Sequence, residues 1–536
     1  MKRTVADVLV LVVALVGAVV ALQPPKQPES PPLAAEDQET IRDAAKRVDQ
    51  VFDEAWTKDG VEPLPPAEPM LVARRLSLAL CGTVPSLQEI RAIEAVSPDQ
   101  QLDSHLERLL SDRRFADYFA ERLARAFVGT EDGPFLVYRR RRFVYWLSDE
   151  LMRQPGDQKY HAYDQLVREI ITAEGLWTDH PATNFVTARV VPDQGPDPLA
   201  LAARTTRAFL GVRIDCAQCH DHPFAEWKQR DFEGLAAYFA QAKQSFRGIE
   251  DKDGELKVDD IKTKEEREVA PRVPFNEEDC HAIGGRREQL AEWITSDSNP
   301  YFAKAIANRV WTLMFGQGIV EPVDDLEAEP RVEGVLEVLA DDFRSHGYDL
   351  RRLVRVIAAT RAFRAAASGD REVTEPQEKL FAAFPLVRLR SEQIAGSLIQ
   401  VSSLTTVDAE SHVIVRTLRL LNTTDFIKHY GDAGEEELNA HVGTIPQRLV
   451  MLNGKMPRER IEAGPMSAAG RITSLSPSDP TRVRVAYLVC LTRPPSTEEE
   501  EHFVARLKGL NGDDRKHAVE DMMWSLVNST EFSWNH

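Results

Sequence analysis

The amino-acid sequence predicts a mainly α-helical protein with two helical domains separated by a short acidic linker. Two observations support this prediction. Apolar residues recur at helical spacing along most of the chain, for example at Phe115, Phe119 and Leu123, and no long stretch shows the apolar–polar alternation of a half-buried strand. Between residues 244 and 274 the composition shifts to Asp, Glu, Lys and Gly without an apolar period. This shift predicts a charged linker at residues 246–284.

Length, composition and charge restrict the class of protein. A chain of 536 residues is too long for one hydrophobic core of ordinary size. Hydrophobic residues make up 43% of the chain and charged residues 28%, as in ordinary globular proteins. The net charge of −19 argues against nucleic acid or an anionic membrane surface as the main partner.

The N-terminal residues have the pattern of a targeting segment. Lys2 and Arg3 precede an uncharged apolar run from Val8 to Leu22. The run is of signal-peptide length and is short for a membrane-spanning helix. Residues 1–22 are therefore predicted to be a signal peptide or an N-terminal anchor, and we expect the protein to be exported to the periplasm or cell envelope. Residues 23–65 are predicted to be a Pro-rich linker followed by a short helix.

The first predicted helical domain covers residues 66–245. Its first helix, from Met70, ends at Gly82, and Ser86 with Glu89 forms the pattern of a capping box that starts the next helix. Residues 163–172 are a further amphipathic helix. Residues 199–209 are predicted to be a helix that leads directly into Cys216.

The second predicted helical domain covers residues 285–536. A helix with Phe302, Ile306 and Val310 on one face is expected to end at Gly316. Asp349 is a predicted N-cap for a helix over residues 350–363.

The sequence Cys216-Ala-Gln-Cys219-His220 is the pattern of c-type haem attachment. In that chemistry both cysteine sulfurs form thioethers to the porphyrin and the adjacent histidine binds the iron. Cysteines three residues apart lie about one helical turn from each other, so both sulfurs reach one porphyrin edge. The sequence therefore predicts haem c on Cys216, Cys219 and His220.

Other readings of the same residues stay open. Cys216 and Cys219 are also compatible with a disulfide or a redox-active thiol pair, although no βαβ pattern surrounds them. A tetrahedral zinc site is a further alternative, because zinc accepts mixed sulfur and nitrogen ligands. Its candidate ligands are Cys216, Cys219, His222, Cys280 and His281.

Several stretches resemble the large exported proteins of planctomycete-type bacteria that carry paired domains called DUF1549 and DUF1553. The stretches similar to DUF1549 are residues 73–86, 163–169 and, most specifically, 208–224. Those similar to DUF1553 are residues 286–295, 308–311, 315–320 and 526–536. The resemblance covers residues 66 to 536 and implies no particular activity. Relatives often carry an additional N-terminal cytochrome c domain, whereas this chain has only the Pro-rich linker there.

These observations lead to one expected function and one alternative. We expect an exported, c-type cytochrome-like protein acting in electron transfer or redox chemistry, with other envelope proteins as partners. The membrane is expected to be involved only through an N-terminal anchor. The alternative is an envelope scaffold or carbohydrate-associated module with a structural zinc or disulfide at Cys216 and Cys219. The commonest catalytic motifs are absent, since the chain has no phosphate-binding loop, no H-E-x-x-H and no G-x-S-x-G. Hydrolase sites without a short motif stay open as an alternative, and no catalytic residue is named.

Overall fold

The computed structural model describes residues 33–131, 138–191, 194–221, 227–259, 265–280, 284–369, 371–408, 426–427, 429–430 and 444–536. The structure is 59% helical and 6% strand, which confirms the predicted mainly α-helical class. The predicted signal peptide or anchor and residues 23–32 of the Pro-rich linker lie outside the described residues. Within the ranges just given, no helix combines the length and the apolar character needed to cross a membrane.

Up to residue 237, the described residues form a succession of helices with one short strand pair. The α-helices are Ala35–Asp59, Pro69–Cys81, Leu87–Glu94, Gln101–Ser111, Arg113–Val128, Arg140–Met152, Tyr163–Thr172, Asn184–Thr187, Pro198–Thr205 and Gln229–Ala237. Tighter or wider helical turns occur at Pro181–Thr183, Thr206–Leu210 and Asp215–Gln218. Strands Val190–Val191 and Gly195–Pro196 pair antiparallel.

The second part is also helical. Its α-helices are Arg286–Ile294, Phe302–Phe315, Val335–Ser345, Leu350–Ala359, Arg361–Arg364, Glu375–Lys379, Ser391–Val401, Ile445–Asn453, Lys455–Ile461, Ala468–Leu475, Asp479–Leu491, Thr497–Leu507 and Gly512–Val527. Short 3₁₀ turns occur at Glu277–Asp279 and Glu531–Ser533. Strands Val387–Arg388 and Trp534–Asn535 pair antiparallel.

Helix boundaries follow local capping chemistry. Gly82 ends its helix in the left-handed conformation, at φ +66°. Ser86 and Glu89 form the predicted capping box, with backbone-to-side-chain distances of 3.0 and 2.8 Å. Asp349 caps the following helix as expected. The helix predicted over residues 350–363 is nevertheless two helices, because Thr360 leaves helical geometry and its hydroxyl caps a new turn.

The charged segment at residues 246–284, together with the four residues before it, contains strands that the sequence pattern did not predict. Strands Ala242–Ser245 and Gly248–Asp251 form one antiparallel hairpin, and Leu256–Asp259 pairs with Glu266–Val269. Ile249, Leu256 and Val273 are buried in the main core. The segment thus contributes to the core as well as connecting the helices on either side of it.

Two hydrophobic cores organise the described residues. The larger one contains side chains from Ile41 to Phe384 and is continuous across residues 246–284. The smaller one contains side chains from Leu389 to Phe532, together with Leu78 and Val84. The helix Pro69–Cys81 therefore packs into both cores and joins them.

Fully buried arginines bind backbone carbonyls at the ends of helices. Arg75 is 0% exposed. Its guanidinium donates to the carbonyls of Phe363, Ala365 and His536 at 2.9, 2.7 and 2.8 Å. The carbonyls of a last helical turn have no partner within the helix, so a cation with several N–H groups satisfies them well.

Two further buried arginines bind backbone carbonyls in the same way, and they join residues on the two sides of the charged segment. Arg287, which is 1% exposed, donates to the carbonyls of Ile171 and Ala173, both at 2.9 Å. Arg351 donates to the carbonyls of Leu110 and Leu151 at 3.3 and 2.8 Å. Each of these arginines lies in the second part of the chain and caps helices of the first.

Replacing Arg75 with leucine should lower the free energy of unfolding by about 3 kcal/mol or more, because buried carbonyls lose charged donors. Denaturant titration at pH 7 measures this change. Arg42→Leu is the control, since that side chain is 62% exposed and lies 3.8 Å from Asp103. Its effect should stay below about 0.5 kcal/mol. Equal losses in both variants would contradict the capping role of Arg75.

Stability should also fall in acid because of His105. This side chain is fully buried, with its Nε2 2.9 Å from Ser77 Oγ, and burial lowers the pKa of His105 to about 4. Between pH 6.5 and 4 the unfolded chain binds a proton that the folded chain does not, so the folded state loses about 3 kcal/mol over this window. Unfolding free energies measured against pH should show a shallower slope for His105→Gln. The exposed His502→Gln should keep the wild-type slope, and three parallel curves would refute the assignment.

Candidate functional site

The approach to the C-x-x-C-H motif is fixed by a glycine. The helical turn Thr206–Leu210 ends at Gly211, which has φ +61°. A Cβ at this position would lie 3.1 Å from Leu326 Cγ and 3.3 Å from Ala305 Cβ. The carbonyl of Gly211 accepts a hydrogen bond from the backbone N–H of Leu326 at 2.7 Å. The backbone that leads into the motif therefore packs against Leu326 and Ala305, which belong to the second part of the chain.

The motif itself is a short turn with a buried base and an exposed reactive side. Residues Asp215–Gln218 form a 3₁₀ turn, in which the N–H of Ala217 donates to the carbonyl of Ile214 at 2.9 Å. Ile214 and Ala217 are both 0% exposed. Cys216, Cys219 and His220 are exposed. The predicted site residues are therefore presented together at the surface by an anchored backbone.

The hydrogen bond of His220 fixes which ring nitrogen is available. Its Nδ1 lies 2.7 Å from the carbonyl oxygen of Asp221. Because a carbonyl only accepts hydrogen bonds, Nδ1 carries the proton and the neutral ring has its lone pair on Nε2. Metal-binding histidines commonly have this arrangement, in which the second nitrogen donates to a backbone carbonyl.

A neighbouring helix holds the far end of the motif. The first residue of helix Gln229–Ala237 donates its N–H to Asp221 Oδ1 at 3.1 Å. The Gln229 side chain also donates to the carbonyl of Gln218 at 3.4 Å. The motif is thus tied on one side to the Gly211 turn and on the other to this helix.

Only three of the five candidate zinc ligands are among the described residues. His222 and His281 lie outside the described residues. The Cys280 thiol donates to the carbonyl of Gln289 at 3.7 Å and lies 3.4 Å from the Tyr238 hydroxyl. Burial raises the pKa of Cys280, which disfavours the thiolate that zinc requires.

Two observations bear on the disulfide and zinc alternatives for Cys216 and Cys219. No disulfide joins any of the five cysteines, all of which are described. Where side chains are described, no group of three or more His, Cys, Asp or Glu residues is arranged to hold a metal ion. Cys81 and Cys490 are buried, whereas Cys280 is partly exposed.

A cavity next to the motif was not predicted from the sequence. It has a volume of about 180 Å³, and we call it the arginine cavity. Five arginines and two aspartates account for most of its lining: Arg125, Arg189, Arg204, Arg207, Arg309, Asp215 and Asp324. Asp215 directly precedes Cys216. The feature of the sequence that points to this cavity is the pair Arg204 and Arg207, whose spacing places both side chains on one helical face.

A larger cavity of about 1060 Å³ lies between helices Ala35–Asp59 and Gln101–Ser111. Its charged side chains have both signs and bond to one another: Arg355 to Glu107 at 2.7 Å, and Arg364 to Asp103 at 3.4 Å. None of the motif residues lines it. Because basic and acidic side chains both line this cavity and pair with one another, its charge favours no particular class of ligand.

Fold and site together define a class: a mainly helical protein, built in two regions, that presents an exposed C-x-x-C-H turn. Residues 47–244 match the family model PSCyt2, a protein of unknown function (DUF1549), and residues 286–425 match PSD1, a protein of unknown function (DUF1553). The chain therefore carries the paired DUF1549 and DUF1553 domains, which flank the charged segment. No curated protein and no solved structure matches the chain.

Gly211→Ala should destabilise the folded protein more than Gly60→Ala. Both glycines adopt the left-handed backbone conformation, at φ +61° and +65°. An alanine at either position therefore costs about 1–2 kcal/mol of backbone strain. Only at Gly211 does the new Cβ also meet neighbouring side chains, since nothing lies within 4 Å at Gly60. Thermal unfolding of the two variants measures the difference. Equal midpoints would show that close packing around Gly211 is unimportant.

Proposed function

We propose that this protein is a c-type cytochrome-like protein in which Cys216 and Cys219 hold a haem through thioethers and His220 ligates its iron. The observation that supports this most is the common exposure of the three side chains on one anchored turn. The lone pair on His220 Nε2 suits a metal ligand. The donor set of two thiols and one imidazole therefore fits covalent haem.

Cys216 and Cys219 would supply the thiols for attachment, and the haem would supply the vinyl groups. Each thiol would add across a vinyl group, with sulfur on one carbon and hydrogen on the other, so the step would balance without an oxidant or a leaving group. Haem c supplies reversible one-electron chemistry when it is bound. The protein contributes the anchored backbone under the motif and the hydrogen bond that orients the His220 ring.

We also propose that the protein acts in the cell envelope. The residues before Leu22 have the pattern of an export signal, and c-type haem is attached outside the cytoplasm. The partners would then be other envelope proteins that donate or accept electrons. Nucleic acid is a poor partner for a chain with a net charge of −19.

Cysteine and histidine variants test the assignment when the protein is expressed with haem-maturation machinery. Either Cys216→Ala or Cys219→Ala should leave one thioether and lower the haem yield, and the double change should abolish covalent haem. His220→Ala should keep covalent haem but alter its spin state and potential, because the axial ligand controls both. Denaturing extraction and the visible spectrum measure these properties.

Cys280→Ala is the matched control, because that thiol contacts Tyr238 and Gln289 and should have no effect on haem. Covalent haem that survives the double cysteine change would refute the assignment. Stoichiometric zinc without haem, lost in Cys280→Ala, would instead favour the alternative of a scaffold or carbohydrate-associated module with structural zinc. A disulfide between Cys216 and Cys219 would be insensitive to His220→Ala.

A further inference from the structure

The larger cavity, of about 1060 Å³, has five basic side chains in its lining. Four of them contact carboxylates, and these paired charges select no ligand. The pairs are Arg355 with Glu107 at 2.7 Å, Arg364 with Asp103 at 3.4 Å, Lys46 with Asp43 at 2.8 Å and Arg42 with Asp103 at 3.8 Å. The fifth basic side chain is Arg108, which belongs to none of these pairs.

Arg108 has a buried donor without a partner. Its Nη1 is shielded from solvent and makes no hydrogen bond to any described residue. Burial lowers the pKa of Arg108, against an attraction to Glu89 that raises it. The net lowering shows that the positive charge is incompletely compensated in the folded protein. Native structures rarely leave such a donor unsatisfied unless a water, an ion or a ligand completes it.

The neighbouring carboxylates are engaged elsewhere or act too weakly. Glu89, which attracts Arg108, already binds Arg114 at 2.5 Å. Asp49 of the lining accepts the backbone N–H of Arg361 at 2.8 Å. Asp99 of the lining is exposed and has no appreciable effect on the Arg108 guanidinium. An anion that enters the cavity would therefore supply what the described residues do not.

Apolar side chains also reach this cavity. Leu33, Ala92, Val96 and Ala359 line it and are only partly buried, so a ligand there would remove further apolar surface from water. Sites for organic ligands generally have volumes of about 300–1,000 Å³, and this cavity has about 1060 Å³. The lining therefore combines one uncompensated cation with apolar walls in a space of sufficient size.

We infer that the larger cavity binds an amphipathic organic acid, with its carboxylate at Arg108 and its apolar body against Val96 and the neighbouring apolar side chains. A guanidinium matches a carboxylate in charge and in the planar arrangement of its donors. Because the other basic side chains of the lining are paired, one anionic group suits the cavity better than several. Cys216, Cys219 and His220 do not line it, so binding would be independent of haem.

The test is calorimetric titration of the full chain with octanoate, a carboxylate with an apolar tail. Octanoate should bind, and its neutral analogue octanamide should bind about tenfold more weakly, as expected for one lost charge-assisted contact. Acetate, which lacks the tail, should not bind. Arg108→Gln should make octanoate and octanamide bind equally, because it removes the charge that distinguishes them. Val96→Ser should weaken both ligands alike, by about threefold.

Arg91→Gln is the matched control. This arginine is next to Ala92 in the chain but lies outside the lining, is 50% exposed and pairs with Glu94. The variant should keep the tenfold preference for octanoate. Absence of octanoate binding to the wild-type protein, or an undiminished preference for octanoate in Arg108→Gln, would overturn the inference.

Thermal unfolding separates ligand binding from a structural role of Arg108. Without ligand, Arg108→Gln should unfold at the wild-type midpoint, because the lost guanidinium leaves no hydrogen bond broken at Nη1. Octanoate should raise the midpoint of the wild-type protein more than that of the variant. A markedly lower midpoint for the ligand-free variant would show that Arg108 is structural and would overturn the inference. The chain carrying Cys216→Ala and Cys219→Ala should bind octanoate as the wild type does, whether or not the proposed haem attachment is correct.

Discussion

The binding of helix-end carbonyls by buried arginines is the interaction on which most of this structure depends. A helix leaves its last carbonyls without internal partners and carries partial negative charge at that end. Arg75, Arg287 and Arg351 each satisfy carbonyls from segments far away in the sequence. Because one guanidinium has five N–H groups, a single side chain fixes several backbone segments at once. Helix packing and loop geometry are thereby determined together.

The candidate site uses the same interaction. Arg309 of helix Phe302–Phe315 binds the carbonyl of Ala208, in the turn that leads to the motif. Leu326 packs against Gly211 and donates its backbone N–H to the Gly211 carbonyl. The motif lies within the region matching DUF1549, but residues of the region matching DUF1553 hold its approach in place. This dependence gives a physical reason why the two domains occur as a pair in this chain.

The sequence was most informative where structure depends on neighbouring residues. Gly82 and the Ser86–Glu89 box could be recognised because capping needs only residues three or four apart. The hairpins at residues 242–269 have four-residue, highly charged strands, and their pairing depends on the partner strand more than on periodicity. The arginine cavity could not be predicted for a similar reason, since Arg309 reaches Ala208 across 101 positions.

The long reach of these arginines also affects how the protein folds. Arg74 donates to the carbonyls of Cys490 and Phe532, which lie 416 and 458 positions further along the chain. Closing such loops is entropically costly, so contacts of this kind form late in folding. Interactions absent from the transition state slow unfolding without accelerating folding. We therefore expect Arg74 to act chiefly on the lifetime of the native state, which determines how long a protein resists proteases that attack only the unfolded chain.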